Sequence, residues 1–147
     1  MERAKKAAAL FEQGYNCAQA VAVAFCDLTG QTPEQAAQMA SCFGGGMGRM
    51  REVCGAVSGM LLVLGLLEGY HAPEDNAGKK ALYEKVQQLA AGFRTQNGSI
   101  VCRELLGNPP ADPSPTPRSA EFYQMRPCTR MVYTAAEILE KHLKKEL

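Results

Sequence analysis

Residues 42–59 read CFGGGMGRMREVCGAVSG, and this stretch closes one helical pattern and opens another. Gly44, Gly45, Gly46 and Gly48 can take backbone angles closed to other residues, so the helix before them stops and a tight irregular loop follows. From about Val53 the helical spacing resumes, with Cys54, Val57, Ser58, Leu61, Leu62 and Gly65 on one face. The opposite side is also apolar, which predicts a helix buried on most sides. GGGMGR follows a helix, lacks the GK[ST] ending of a phosphate loop and does not satisfy GxGxxG, which counts against nucleotide binding. In CGAVSG, Gly55, Ala56, Ser58 and Gly59 leave the helix nearly bare. That suits the close approach of another backbone, a cluster or a substrate, or simply tight helix packing.

Working outward, no stretch alternates with period two, so the chain reads as all-α: a compact bundle of six to seven helices. Glu2 to Gln13 is rich in good helix formers and stops at Gly14. Asn16 is a plausible cap for a helix over about 17–28, closed by Gly30, and Thr32 with Pro33 opens PEQAAQMASCF. Gly69 ends the Cys54 helix. Pro73, Glu74 and Asp75 begin another that runs to about Arg94 with Leu82, Val86, Leu89 and Phe93 on one stripe. SIVCRELL forms a short helix ending at Gly107. Residues 107–118, GNPPADPSPTPR, hold five prolines and read as an extended surface loop. The last helix starts near Pro127, with Met131, Val132, Ala135, Ile138 and Leu139 inward, and Lys141, Lys144 and Lys145 suit its negative end.

The 147 residues fit a single helical domain, and a chain of this size buries about 68–70% of its unfolded surface. Net charge is +1, from 16 basic and 15 acidic residues, which gives no general case for nucleic acid or acidic membranes. The N-terminus carries charges through its apolar stretch and does not read as a secretory signal. Val53 to Leu67 falls short of the ~20 apolar residues that a membrane helix needs. A cytoplasmic location without membrane insertion is the expectation, and there six cysteines read as thiols, metal ligands or redox groups.

On one straight helix Cys17 and Cys26 lie about 180° and ~13 Å apart, so they cannot share a small site. Cys17 is in register with Val21, Ala24 and Leu28 and is the better inward candidate; Cys26 shares its side with Gln19, Ala22 and Val23. Cys54, Cys102 and Cys128 also fall on apolar faces. A buried cysteine often only fills space. Two details favour chemistry: Cys54 and Cys128 sit in first turns, where the positive helix end favours thiolate. Arg49 and Arg51 precede the first of them, and Arg126 and Arg130 flank the second. Cys42, beside the glycine loop, is either a second thiol near Cys54 or a small core residue. His71 and His142 are lone residues near helix ends, and no HExxH or CxxCH is present, so covalent haem attachment is excluded. Ser58 has no identifiable base. The four cysteines lack the short paired spacing of a zinc finger, but a site assembled by tertiary structure stays open.

GYNCAQAV at Cys17, FGGGMGR followed by CGAVSG at Cys54, CREL at Cys102 and the cysteine heading the last helix together resemble the C_GCAxxG_C_C family of redox-active proteins, over nearly the whole chain. Matched by motif, Cys17, Cys54, Cys102 and Cys128 are the family cysteines, and Cys26 and Cys42 are extra. The family's similarity to split-Soret cytochromes implies that these four could ligate an iron–sulfur cluster; the haem-binding CxxCH of those proteins is missing here.

Three functional expectations follow. The first is a redox protein whose four cysteines hold a cluster, [2Fe–2S], for electron transfer or sensing, with the loop of Gly44, Gly45, Gly46 and Gly48 and the bare face of Gly55 and Gly59 in support. Loop N–H groups would approach the cluster sulfurs. The second is thiol–disulfide chemistry with Cys54 as a low-pKa nucleophile, resolved by Cys17, Cys102, Cys128 or Cys42. The third is a non-catalytic module with a structural zinc, or no metal at all and packed cysteines. The redox partner is unidentified, and a homodimer is one option.

Overall fold

A computed structural model describes residues 1–145, apart from the side chains of 124 and 125. Among the described residues the fold is all-α, with nine α-helices and no strand. The helices are α1 (Glu2–Glu12), α2 (Cys17–Ala24), α3 (Cys26–Thr29), α4 (Pro33–Ala40), α5 (Gly55–Glu68), α6 (Asn76–Asn97), α7 (Cys102–Leu105), α8 (Ala120–Met125) and α9 (Cys128–Leu143). A 3-10 turn over Ser41–Phe43 extends α4.

Capping explains where several of these begin. Asn16 Oδ1 accepts the Gln19 N–H at 2.8 Å while Gln19 Oε1 accepts the Asn16 N–H at 3.1 Å. Thr32 and Gln35 repeat this exchange at 3.1 and 2.9 Å, with Pro33 in the first turn of α4. Such boxes satisfy donors that a helix start leaves unpaired, each contributing about 1 kcal/mol.

Helix α2 is the hub: it packs on α1, α4, α5 and α9, while α1 lies along α9 and α6 leans on α9 from outside. Phe11, Phe25, Met60, Leu64, Phe93 and Leu139 are fully buried between these helices. Burial of each such side chain contributes about 1.5–3 kcal/mol. On α9 the five residues expected inward, Met131, Val132, Ala135, Ile138 and Leu139, are all buried. Gly59 lets α5 approach α2, because a Cβ there would stand 2.6 Å from the Ala18 carbonyl oxygen. For Gly59 the bare face is a helix-packing device.

The helix count exceeds the six to seven expected for identifiable reasons. The pattern over 17–28 breaks at Phe25, whose φ of −114° and ψ of 9° end α2, and whose ring is buried under the Arg3 guanidinium at 5.2 Å. The register drawn across that break therefore fails: Leu28 is 46% exposed, and Cys26 lies in the core. Helix α8 was not foreseen; Ser119 Oγ accepts the Phe122 N–H at its start, at 3.2 Å. Helix α6 begins at Asn76, three residues beyond the Pro73 that was expected to open it, because Asp75 Oδ1 accepts the Gly78 N–H at 2.8 Å. On α5 the most buried stripe is Ala56, Gly59, Met60, Val63 and Leu64, displaced from the predicted one, and Gly65 is exposed. Among the described residues no helix is long and apolar enough to cross a membrane.

Candidate functional site

The four family-type cysteines share a local position that the sequence reading gave to Cys17, Cys54 and Cys128. Cys17, Cys102 and Cys128 are the first residues of α2, α7 and α9, and Cys54 is the cap of α5. All four line one cavity of about 480 Å³, together with Gly44, Gly45, Gly46, Gly48 and Gly55. Cys54, Cys102 and Cys128 are buried, Cys17 is half-buried, and all are free thiols. Cys26 and Cys42 do not line the cavity; the first is in the core and the second is exposed.

A short antiparallel contact joins Cys54 to Cys102. The Cys54 N–H donates to Ile100 O at 2.7 Å, the Cys102 N–H to Glu52 O at 2.6 Å, and the Arg103 N–H to Arg51 O at 3.1 Å. Val53 and Val101 form the bridge between them, which is why SIVCRELL is helical only from Cys102. The Arg103–Glu52 ion pair at 2.6 Å closes the outside of this contact. Cys17 is brought in by α2, where Gly55 leaves room: a Cβ on Gly55 would lie 3.1 Å from Cys17 Cβ and 2.8 Å from Phe43 O.

The glycine loop winds left-handed. Gly45, Gly46, Met47, Gly48 and Arg49 have φ between 56° and 75° in succession, and Arg51 has φ 64°. For Met47, Arg49 and Arg51 this conformation costs about 1–2 kcal/mol each. Gly46 is required sterically as well, since a Cβ there would lie 2.7 Å from Cys102 Cβ and from the Glu52 nitrogen. The N–H groups of Met47, Gly48, Arg49, Arg51 and Glu52 donate to carbonyls at Phe43, Cys42, Gly44, Gly45 and Gly46. Those five donors are committed within the loop. What the loop aims into the cavity is the side chains of Arg49 and Arg51.

Arg51 is 3% exposed, and its guanidinium reaches Cys102 Sγ at 3.9 Å and Pro110 O at 3.2 Å. Arg49 Nη1 donates to Thr116 Oγ1 at 2.9 Å. The proline-rich segment 107–118, expected only as a surface loop, is thus fastened over the cavity, which Pro113, Pro115, Thr116 and Arg118 help to line. Arg118 donates to Phe11 O and Tyr15 O, both at 2.9 Å, and stacks on the Phe11 ring at 4.3 Å. Arg126 also lines the cavity; Arg130, expected beside it, is exposed and does not. Arg118 and the loop were missed because nothing local in the sequence ties them to a cysteine.

The thiols respond unequally to this setting. Burial pushes Cys54 up to about 12, even though the Ala56 and Val57 N–H groups favour its thiolate. That overturns the expectation of Cys54 as a low-pKa nucleophile: desolvation outweighs the helix terminus. Burial also raises Cys102, against the pull of Arg51. Cys128 moves below the ordinary thiol value, chiefly because the neighbouring Cys17 thiol hydrogen-bonds its thiolate, with Arg126, Arg118 and Arg51 adding charge. Cys17 moves well above it for the same reason seen from the donor's side.

Among the described residues no three His, Cys, Asp or Glu side chains stand close enough to hold one metal ion. The four sulfurs surround a space rather than a point. A family model described as "Putative redox-active protein (C_GCAxxG_C_C)" matches residues 15–142. The chain belongs to the C_GCAxxG_C_C family. The matched span includes all four cavity cysteines, the glycine loop and the arginines. No curated protein and no solved structure matches the chain.

Proposed function

We propose that this member of the C_GCAxxG_C_C family is a redox protein whose Cys17, Cys54, Cys102 and Cys128 hold an iron–sulfur cluster for electron transfer or sensing. The observation that carries the reading is the meeting of four thiols, four helix starts and four guanidiniums at one cavity, with no carboxylate in its lining among the described residues. Four cysteines are the ligand set of a [2Fe–2S] or a [4Fe–4S] cluster. We favour [2Fe–2S] as the smaller cluster that needs all four.

The residues fit such a group. A four-thiolate cluster is anionic, and positive helix ends with Arg49, Arg51, Arg118 and Arg126 supply the opposite charge. Sulfurs spread around a cavity suit several irons better than one zinc, which needs four sulfurs each about 2.3 Å from a single point. When bound, the cluster would supply reversible one-electron transfer. The protein's own contribution is to hold the thiols together, keep a cation on Cys102 through Arg51 and cover the site with segment 107–118.

Anaerobic purification or reconstitution should give a coloured protein with iron and sulfide in stoichiometric amounts. A colourless product with all four thiols intact would count against the cluster, and zinc in such a product would favour a structural metal.

The Cys17–Cys128 relationship favours a second reading, dithiol–disulfide exchange with Cys128 as the nucleophile. The Cys128 thiolate would attack one sulfur of a substrate disulfide, expelling the other as thiolate; Cys17 would then displace the bound sulfur. The substrate disulfide would be reduced to two thiols and Cys17–Cys128 oxidised to a disulfide, two electrons passing in all.

A further inference from the structure

Among the described residues, two buried guanidinium nitrogens of cavity-lining arginines have no hydrogen-bond partner. They are Arg51 Nη2, on a side chain whose residue is only 3% exposed, and Arg49 Nε. Both arginines line the cavity, and neither is in an ion pair among the described residues. Burial, with Arg51 and Arg126 pressing as like charges, lowers the Arg49 pKa, against the weaker opposing pull of Asp112. Arg51 is a buried cation without an ion-pair partner among the described residues, which is strongly unfavourable, so the arrangement calls for a negative group that the thiols do not supply. Nor would a cluster satisfy it fully, since a four-thiolate [2Fe–2S] centre in its oxidised form is roughly a dianion facing four guanidiniums.

We infer that the cavity takes a small organic anion, with a carboxylate or phosphate head on the Arg49 and Arg51 guanidiniums that line it. The guanidinium fork matches the paired oxygens of either head. Phe11, Leu105, Leu106, Pro113 and Pro115 add an apolar wall to the same space. A volume of about 480 Å³ falls in the range of small-molecule pockets, and the lining suits an anion with an apolar body. Thr116 Oγ1, accepting from Arg49 Nη1 at 2.9 Å, fixes the orientation of that guanidinium at the cavity. The inference stands on the unpartnered nitrogens and does not require the cluster.

Isothermal titration of the full chain tests it, using inorganic phosphate, acetate and benzoate on the colourless protein and again after anaerobic reconstitution. Saturable one-to-one uptake of phosphate or benzoate is expected in both forms, with benzoate bound more tightly than acetate. Preference for phosphate or benzoate tells which head the site prefers. Arg49→Gln should weaken binding about tenfold, the loss expected for one charge-assisted hydrogen bond. Arg49→Lys, which keeps the charge without the fork, should fall between Arg49→Gln and the parent, and Arg130→Gln should bind as the parent does. Absence of saturable uptake overturns the inference, as does equal affinity in the folded Arg49→Gln and Arg49→Lys proteins. Uptake by the colourless form that vanishes on reconstitution also overturns it, because the arginines then serve the cluster alone. Uptake by a protein that never takes up iron upholds the anion site while removing the cluster.

Discussion

Arg51 Nη1 stands 3.9 Å from Cys102 Sγ, on a side chain almost wholly removed from solvent. The contact joins the strained glycine loop to a cysteine 51 positions away. Both its partners are held by one backbone ladder, since the Arg103 N–H donates to Arg51 O and the Cys102 N–H to Glu52 O. Arg51 draws the Cys102 thiol down against the burial that raises it. Arg51→Gln should therefore move the Cys102 pKa further up and slow its alkylation at pH 8 to 9. Peptide-resolved iodoacetamide rates check this; an unchanged Cys102 rate would contradict it.

The thiols should react in a definite order. Cys128 lies below the ordinary thiol value, while Cys54 is raised to about 12 and Cys17 well above the ordinary value, so on raising the pH thiolate forms at Cys128 first. Among the cavity thiols Cys128 should be alkylated fastest at pH 7.5. Cys17→Ala should slow it, because the Cys17 thiol is the largest favourable influence on the Cys128 thiolate. The exposed Cys42 serves as the internal reference for reagent access.

Two glycines of the loop should differ in their tolerance of alanine. At Gly46 the added Cβ meets Cys102 Cβ and Glu52 N at 2.7 Å with φ at 75°, so strain and overpacking add to about 2–4 kcal/mol. At Gly48 nothing lies within 4 Å and only φ of 56° resists, so Gly48→Ala should cost about 1–2 kcal/mol. Urea unfolding of the two variants measures the gap, and equal losses would contradict the close approach at Cys102.

Arg3 holds Asp27 with two hydrogen bonds at 2.7 and 2.9 Å and keeps its carboxyl down at about 2, tying α1 to α3. A carboxyl held low in the folded state contributes stability that is present above its unfolded value near 4. That stability is lost as pH falls through about 2. Asp27 is 58% exposed, so solvent screening reduces the contribution to about 0.5–1 kcal/mol. Asp27→Asn should lose that much at pH 7 and converge on the parent as pH falls below about 2, as followed by thermal unfolding.

The sequence carried the class of fold and the four cysteines because both depend on local signals: apolar spacing, the caps at Asn16 and Thr32, and a motif around each sulfur. It misled where tertiary packing overrides local preference. Phe25 ends a helix in order to bury its ring under Arg3, which sends Leu28 outward and Cys26 inward. Val53 and Val101, far apart in the chain, form the bridge that sets Cys54 beside Cys102, and no period in either segment announces it. The left-handed angles of Met47, Arg49 and Arg51 were likewise invisible, since glycine alone advertises that conformation. Cys54 shows a limit of reasoning from helix ends: the terminus does favour its thiolate, but burial outweighs it. His142, read as a lone residue near a helix end, instead meets the Glu68 carboxylate at 3.0 Å.

On the proposed reading Cys17, Cys54, Cys102 and Cys128 act together as ligands and Cys26 and Cys42 do not. Iron and acid-labile sulfide per chain, measured after anaerobic reconstitution of the parent, of Cys26→Ala/Cys42→Ala and of Cys54→Ser, tests it most directly. About two of each, with visible colour, are expected in the parent and in the double variant, and marked loss of both in Cys54→Ser. A parent that stays free of iron and sulfide, or a Cys54→Ser protein loaded as fully as the parent, would contradict it.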